Sequence, residues 1–151
     1  MKHGKGKWKK AVRGNKIANF YEGYYEKDKK HGYGEFIWES GNKYCGNYHH
    51  DERQGYGTMT WTDGSEYKGH WIQGVQHGIG IMKFPNNNKP RAGFFERNIF
   101  IMPLRDKKTI SALAGELPQD LRVELEKYLS ERYEQVQKAV EDGQDLESQY
   151  L

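Results

Sequence analysis

Aromatic and polar residues alternate along most of the first hundred positions, and the alternation recurs with a fixed period. Tyr44, Gly46 and Tyr48 fall on alternate positions, and polar or small residues lie between them. Because successive side chains of a strand point to opposite faces, this pattern predicts a strand with one aromatic face. The same order begins at Tyr21 and again at Tyr67, 23 residues before and after Tyr44. A fixed step of this size indicates a repeat architecture.

Each unit continues with two glycines separated by one residue, then a run that ends on an aromatic residue: Trp38, Trp61 and Phe84. Turn-forming residues such as Ser40-Gly41 and Asp63-Gly64 follow the first two runs. We therefore predict two short antiparallel strands per unit, joined by a loop before the glycine pair and linked to the next unit by a tight turn. Units stacked side by side predict a mainly β fold, an elongated single-layer antiparallel sheet of β-hairpins.

The period divides the chain into an array at 1–102 and a different C-terminal part. Full repeats are predicted at about 20–41, 43–64 and 66–87, with a half repeat at 1–10. About five extra residues before Phe20 predict a lengthened hairpin loop. At 91–102 the pattern loses its glycine pair, which is typical of a degenerate capping repeat. The array starts in mid-repeat, so whether the chain is complete is an open question.

The C-terminal part has helical periodicity. We predict a linker at 103–117, an amphipathic α-helix at 118–142 and a tail at 143–151, because apolar residues recur every three or four positions and Gly143 suits a helix end. The helix needs an apolar surface, provided by its own sheet or by another protein. The residues predicted to dock it are Leu121, Leu125, Tyr128, Leu129, Tyr133, Val136 and Val140.

The row of rings is the most distinctive candidate for a binding site. Ring-on-ring packing along the stack must use part of it, because a single-layer sheet has no other core. One sheet cannot bury both faces, however, and Tyr and Trp are enriched at binding hot spots. We therefore predict a groove that binds a helix or peptide, lined by Tyr21, Tyr25, Trp38, Tyr44, Tyr48, Trp61, Tyr67, Trp71 and Phe84.

Charge is unevenly distributed, although the net value is only +3. Residues 1–16 carry seven basic and no acidic side chains, whereas 104–151 carry seven basic and eleven acidic ones. The basic start is either a solvated strand face or a contact for an anionic surface, namely a membrane or an acidic protein tail. The residues concerned are Lys2, Lys5, Lys7, Lys9 and Lys10.

We expect no group of side chains arranged for catalysis or for binding a metal or cofactor. The glycine pairs never continue as G-x-G-x-x-G, so they predict no nucleotide site and no cofactor. His3, His31 and His77 share one repeat position, which favours a structural role over metal ligation. Cys45 lies at a position that the other repeats fill with solvent-type residues, so no nucleophile is expected. We predict no enzyme, no metal, no small-molecule substrate and no nucleic-acid partner; the single cysteine and the lack of a long apolar run predict a soluble, intracellular protein.

Tyr-x-Gly-x-aromatic, His-Gly-x-Gly and a 23-residue step resemble the MORN repeat family (membrane occupation and recognition nexus). The resemblance covers Tyr21 to Phe84 in nearly complete copies and implies a curved antiparallel sheet with an aromatic groove. It implies a scaffold or peptide-binding surface, since members occur in radial spokes and other axonemal proteins, in junctional membrane proteins and beside catalytic domains. The leading expectation is therefore a non-catalytic scaffold in a cytoskeletal, ciliary axonemal assembly. The alternatives are a tether to anionic membranes and a regulatory subunit or fragment of a larger enzyme.

Overall fold

Nine strands follow one another across a single open sheet in the computed structural model of the protein, which describes residues 3–11, 17–86, 88–113 and 115–143. Every neighbouring pair is antiparallel, so the spatial order equals the sequence order and the predicted sheet of stacked hairpins is confirmed. The strands are β1 (Gly4–Ala11), β2 (Ile17–Glu26), β3 (Lys29–Ile37), β4 (Lys43–His49), β5 (Glu52–Thr60), β6 (Glu66–Ile72), β7 (Val75–Lys83), β8 (Arg91–Glu96) and β9 (Ile99–Pro103).

The connection within each unit differs from the prediction, which placed a loop there. Two-residue turns instead join the strands of one unit, and both of their residues have positive φ, as a type I′ turn requires. The turns are Lys27-Asp28, His50-Asp51, Gln73-Gly74 and Arg97-Asn98. Longer segments at 38–42, 61–65 and 84–90 link successive units. The turns predicted between units are present, because the N–H groups of Gly41 and Gly64 donate to the carbonyl oxygens of Trp38 and Trp61. The predicted loop was wrong because β3, β5 and β7 begin before the glycine pair, in polar residues that carry no apolar alternation.

The first glycine of each pair lies in a bulge of the second strand. Gly23 pairs with Gly34 and Tyr25 with Lys30, so three residues of β3 oppose the single residue Tyr24 of β2. Gly32 lies within this bulge with φ +78, a conformation that side chains other than glycine rarely adopt. The same register shift recurs in the next two repeats, so the bulge is a property of the repeat.

The second glycine of each pair belongs to a row that crosses eight strands. Glycine opposes glycine in every register from β1 to β8, in the order Gly6, Gly23, Gly34, Gly46, Gly57, Gly69, Gly80 and Gly93. The row forms a channel without side chains on one face of the sheet. A Cβ built on Gly69 would lie 2.5 Å from the Cα of Gly80, so these strands pack more closely than side chains allow.

Tyrosine rings fill this channel. The rings of Tyr21, Tyr44 and Tyr67 each lie across a pair of row glycines and are 0% exposed. Their hydroxyls donate to the carbonyl oxygen three residues later, at 2.9, 2.8 and 2.9 Å respectively. The glycine two positions after each tyrosine has no side chain and so leaves the space that the ring occupies. The hydroxyl finds its hydrogen-bond acceptor within the protein.

The C-terminal part folds onto the other face of the sheet. It contains α1 (Lys107–Ala112), which Asp106 caps through the backbone N–H groups of Lys108 and Thr109, and α2 (Gln119–Glu141), within the predicted 118–142. The segment 103–117 is not a linker as predicted, because it contains α1 and buries Leu104, Ile110 and Leu117. Of the predicted tail at 143–151, residues 144–151 lie outside the described residues.

The core that α2 forms with the sheet is separate from the tyrosine core. It combines aliphatic side chains of β7, β8, α1 and α2: Ile79, Ile81, Ala92, Leu104, Ile110, Leu117, Leu121, Leu125 and Leu129. Ile79 and Ile81 alternate along β7 with Gly80, which faces the tyrosines, so the two cores lie on opposite faces. We call the tyrosine side the aromatic face and the α2 side the helix face.

Candidate protein-binding surface

The nine predicted groove residues share the aromatic face, but they divide into two layers. The inner layer is buried in the protein itself: Tyr21, Tyr44, Tyr48, Tyr67 and Trp71. None of these is more than 5% exposed. More than half of the predicted groove residues are therefore buried by packing within the stack. A partner could contact them only through the side chains that lie above them.

Edge-to-face contacts make the inner layer continuous along the stack. The ring of Tyr44 lies 5.2 Å from Tyr48 and 5.5 Å from Trp71, and Tyr67 lies 5.0 Å from Phe95, all near perpendicular. Such pairs contribute about 0.5–1.5 kcal/mol beyond the area that they bury. The indole N–H of Trp71 donates to the carbonyl oxygen of Gly57 at 3.0 Å, so the ring is locked as well as buried.

The outer layer is half-buried and reaches the surface. It contains the other four predicted residues, Tyr25, Trp38, Trp61 and Phe84. It also contains Phe36, Met82 and Phe100, which pack on the inner layer and which the sequence prediction omitted. Their signal was available, because Phe36 precedes Trp38 by two positions and Met82 precedes Phe84 by two.

Cations lie over the rings of the aromatic face, and the sequence analysis missed them. The guanidinium of Arg53 lies 5.0 Å from the Trp71 ring centroid, and Arg91 lies 5.7 Å from that of Phe84. Lys30 lies 5.5 Å from the ring of Phe36 and pairs with Asp51 at 3.3 Å. Lys30 and Arg53 are 23 residues apart, so the repeat itself aligns them.

Arg53 keeps unused hydrogen-bonding capacity. Its Nη2 donates to the carbonyl oxygen of Gly74 at 2.6 Å, whereas its buried Nε has no hydrogen-bond partner among the described residues. Neither Arg53 nor Arg91 forms an ion pair within the described part of the chain. The strand positions that face this side, from β2 to β8, include no acidic residue. The aromatic face is therefore apolar with a net positive charge.

Burial suppresses ionisation of the inner tyrosines. It raises the pKa of Tyr21 from 10.0 to about 12, and the neighbouring Tyr25 and Asp51 add to the rise. Burial also raises the pKa values of Tyr44, Tyr48 and Tyr67. The inner layer is thus neutral at physiological pH and supports the outer layer without competing for its cations.

Only some of the predicted docking residues of α2 contact the sheet. Leu121, Leu125 and Leu129 are at most 7% exposed, and Tyr128 packs beside them. These residues are occupied by the helix face, so in this conformation they do not dock a partner, and α2 does not fill the aromatic groove. Farther along α2, Tyr133 and Val140 are 66% and 57% exposed, and Val136 is half-buried.

An ion-pair cluster aligns α2 on the helix face. Lys68 of β6 lies 3.3 Å from Asp120 and 3.4 Å from Glu124, and Lys83 of β7 also pairs with Glu124. Burial alone would lower the pKa of Lys68, but the carboxylates of Glu124 and Asp120 outweigh it and raise that pKa. The lysine therefore stays charged between the sheet and the helix.

The N-terminal lysines are only partly described. Lys5 is exposed, and Lys7 lies 3.6 Å from Glu22 with a side chain that is 66% exposed. Lys2 lies outside the described residues, as do the side chains of Lys9 and Lys10. The predicted contact with an anionic surface stays a prediction.

Cys45 lines a cavity of about 360 Å³ between the sheet and the start of α2, together with Tyr33, Lys68 and Asp120. Burial raises the pKa of its thiol, and Glu35 adds to the rise. A thiol kept protonated in this way is a weak nucleophile. Cys45 therefore lacks the environment of a catalytic cysteine.

Three histidines that sequence reasoning treated separately come together at one edge. His31, His49 and His50 each offer a ring nitrogen, and these atoms lie within 4.8 Å of one another. The register between β3 and β4, in which Gly32 pairs with Tyr48, brings the end of β4 beside the bulge of β3. The missing signal was this register.

Comparison with known proteins identifies the repeats. The MORN repeat family matches the chain three times, at residues 21–43, 44–66 and 67–89, close to the predicted repeat boundaries. No curated protein matches the chain significantly. Among the described residues, no helix combines the length and the apolar composition that crossing a bilayer requires. Proteins use MORN repeats to contact other proteins or membranes. The nine-stranded sheet thus contains three consecutive MORN repeats, at residues 21–89.

Proposed function

We propose that the protein is a non-catalytic scaffold whose aromatic face holds an acidic, amphipathic segment of a partner protein. One observation carries this proposal: a half-buried layer of rings with cations over it lies on the face that α2 leaves uncovered. Exposed rings supported from below are suited to apolar side chains of a helix or peptide. Arg53 and Arg91 are suited to carboxylates between those side chains.

The helix face supports the same assignment. Because α2 covers the aliphatic residues of β7 and β8, Ile79, Ile81 and Ala92 are not available to a partner, whereas the outer layer of the aromatic face is. The outer-layer side chains of Phe36 and Met82 lie on strands and pack on the buried inner layer, so little of their conformational entropy is lost when a segment docks.

The proposed setting is intracellular and cytoskeletal, in a ciliary axoneme. This part rests on the occurrence of MORN repeats in radial-spoke and other axonemal proteins. A fluorescently tagged full-length chain is expected to stay with detergent-extracted axonemes. A chain released with the soluble fraction would contradict the axonemal setting and leave the binding surface itself intact.

A peptide titration tests the surface. The probe is a labelled peptide that alternates Glu with Leu and Phe, and its control has Gln in place of every Glu. We expect fluorescence anisotropy to show saturable binding of the acidic probe only. Trp61→Ala and Arg53→Gln should each weaken it at least about tenfold, as loss of a hot-spot residue does. Tyr133→Ala, on the exposed end of α2, serves as the matched control and should bind normally.

Equal binding of the two peptides, or normal affinity in the Trp61 and Arg53 variants, would contradict the proposal. Far-UV circular dichroism of each variant separates lost binding from lost folding. The partly exposed Trp61 is the better choice than the buried Trp71, whose removal would disturb the inner layer.

A second candidate is attachment to an anionic membrane through the exposed Lys5 and Lys7. Each cation near a charged bilayer contributes about 1 kcal/mol. Co-sedimentation with phosphatidylserine vesicles at low salt tests it, with phosphatidylcholine vesicles as the control. Lys5→Glu with Lys7→Glu should abolish the binding, and wild-type protein that stays in the supernatant would exclude this function.

A further inference from the structure

We propose that the junction between the first two MORN repeats binds a divalent transition-metal ion through His31, His49 and His50. The three rings form a compact cluster. The ring centroids of His49 and His50 are 4.2 Å apart. The ring centroid of His31 lies 4.9 Å from that of His49 and 5.1 Å from that of His50. Regular backbone positions hold all three, because His31 lies in the β3 bulge, His49 ends β4 and His50 begins the type I′ turn.

A carboxylate orients the first of these rings. Nε2 of His31 lies 3.0 Å from Oε2 of Glu26, so this nitrogen carries the proton and donates it. The lone pair is then on Nδ1, which accepts the backbone N–H of His50 at 3.4 Å, a long contact that a bound ion replaces. A histidine that ligates through one nitrogen and donates the other N–H to a carboxylate is the usual arrangement at metal sites.

The neighbouring junctions distinguish the metal cluster from the ordinary role of the repeat histidine. His3 and Gln54 occupy the position of His31 and accept the N–H of Lys27 and of Gln73 in the following turn. His31 therefore has a turn-capping contact like those of His3 and Gln54. Its two companions are different, because the next junction has Ile72 and Gln73 where this one has His49 and His50.

The chemistry of the donors selects the ion. Three imidazoles suit Zn²⁺, Cu²⁺ or Ni²⁺, whereas Mg²⁺ and Ca²⁺ require oxygen ligands. In a tetrahedral zinc site with bonds of about 2.0–2.1 Å, ligand nitrogens lie about 3.4 Å apart, so the rings must close by little more than roughly 1 Å. His49 and His50 are exposed and free to rotate by that amount. The fourth position is left for water or a partner side chain.

Isothermal titration with Zn²⁺ alone tests the site, on the full chain produced without a histidine tag. We expect one ion per wild-type chain and no response to Mg²⁺. His49→Gln and His50→Gln should each lower the affinity more than about 100-fold, and Glu26→Gln about 10–100-fold, the range for an orienting carboxylate. His77→Gln is the matched control, because it changes the same repeat position as His31 outside the three-histidine cluster.

Imidazole nitrogen NMR provides an independent measurement. Zn²⁺ is expected to shift the ring signals of His31, His49 and His50 and to leave those of His70 and His77 in place. Wild-type protein without saturable one-to-one binding, variants that bind as the wild type does, or shifts centred on His70 or His77 would each overturn the proposal. Circular dichroism of the variants verifies that they are folded.

Discussion

The two faces of the sheet are covered in different ways, although the same strands build both. On the aromatic face, side chains of the strands cover their own backbone, as the Tyr44 ring does over Gly46 and Gly57. On the helix face, the cover comes from a distant part of the chain, through Leu121 and Leu125 of α2. The comparison shows that a single-layer sheet can supply its own core where glycines give rings room, and that elsewhere it needs a second layer.

The tyrosine core and the aliphatic core also differ in whether they recur from repeat to repeat. The tyrosine core recurs with the 23-residue step, so each repeat contributes one fully buried tyrosine and packs against its neighbours. The aliphatic core is concentrated on β7 and β8, where Ile81 replaces Glu35 and Thr58 of the earlier repeats and Ile79 replaces Tyr33 and Tyr56. The helix face is therefore a feature of this chain rather than of the repeat, whereas the aromatic face recurs with the repeat.

High pH should have the largest effect, and it should act through the aromatic face. The pKa of Tyr21 is about 12 in the fold against 10.0 outside it, so its stabilising contribution is complete below pH 10 and is lost as pH rises toward 12. At about pH 11 this one residue costs about 1 kcal/mol, and the three other inner tyrosines act in the same direction. We expect cooperative unfolding with tyrosinate formation above pH 10, observed by absorbance and circular dichroism.

Tyr133→Phe is the control for that titration, because Tyr133 is 66% exposed and should leave the midpoint unchanged. Tyrosine ionisation that is complete near pH 10 without unfolding would contradict the buried inner layer.

A methyl group in the glycine row should have the next largest effect. A Cβ on Gly57 would lie 2.5 Å from Cε2 of Tyr44, so either the ring or two strands must move. We expect Gly57→Ala to lower the free energy of unfolding by about 3 kcal/mol, the upper range for overpacking. Urea denaturation measures it. Gly115→Ala, which has no atoms within 4 Å of the new methyl, is the control. A Gly57→Ala protein as stable as the control would refute the ring-in-channel packing.

Removal of an aliphatic anchor should separate the two faces. Leu125 is 0% exposed, and Leu125→Ala is expected to lower stability by about 3 kcal/mol, mainly through the cavity that it leaves under α2. Hydrogen exchange should show faster opening of α2 than of β4 and β5. Val123→Ala, half-exposed on the same helix, should change stability by less than about 0.5 kcal/mol. Equal acceleration in the helix and in all strands would mean that the two cores are one cooperative unit.

The smallest expected effect concerns the ion pairs of the helix face. Lys68→Met leaves Asp120 and Glu124 without this cation and should cost about 1 kcal/mol at low salt. The difference from wild type should shrink at high salt, because salt screens a partly exposed cluster. Lys127→Met, which breaks a pair that is 70% and 55% exposed, is the control and should have almost no effect. A Lys68→Met cost that does not change with salt would point to packing by the lysine stem instead.

The repeat made most of the fold predictable from the sequence. Alternation and period located the strands, the inner rings Tyr21, Tyr44 and Tyr67, and the helix of the C-terminal part. The positions of the turns within the units were not predicted, although Asp28, Asp51, Gly74 and Asn98 carry the residue types of type I′ turns. Polar residues around the bulges hid the strand starts, because apolar alternation was the only strand signal used.

The candidate site was predictable only in outline. Tyr48 and Trp71 looked equivalent to Trp38 and Trp61 as groove residues, since burial depends on the rings of adjacent repeats and not on residue type. Arg53 looked like an ordinary charged strand residue, and only the register between β5 and β6 places it over Trp71. In the metal proposal, His31 is 18 and 19 positions from His49 and His50 in the sequence, and only the register of β3 with β4 brings the three together.

The sequence by itself determined the repeat, the spacing of rings and glycines, and therefore the sheet and its aromatic face, because these follow from local periodicity and steric size. Only the tertiary structure decided which rings remain at the surface, that α2 covers the opposite face rather than the groove, and which charges meet across strands. Those outcomes depend on contacts between residues far apart in the chain, such as Lys68 with Glu124. Local patterns contain no information about which of two apolar surfaces a distant helix will cover.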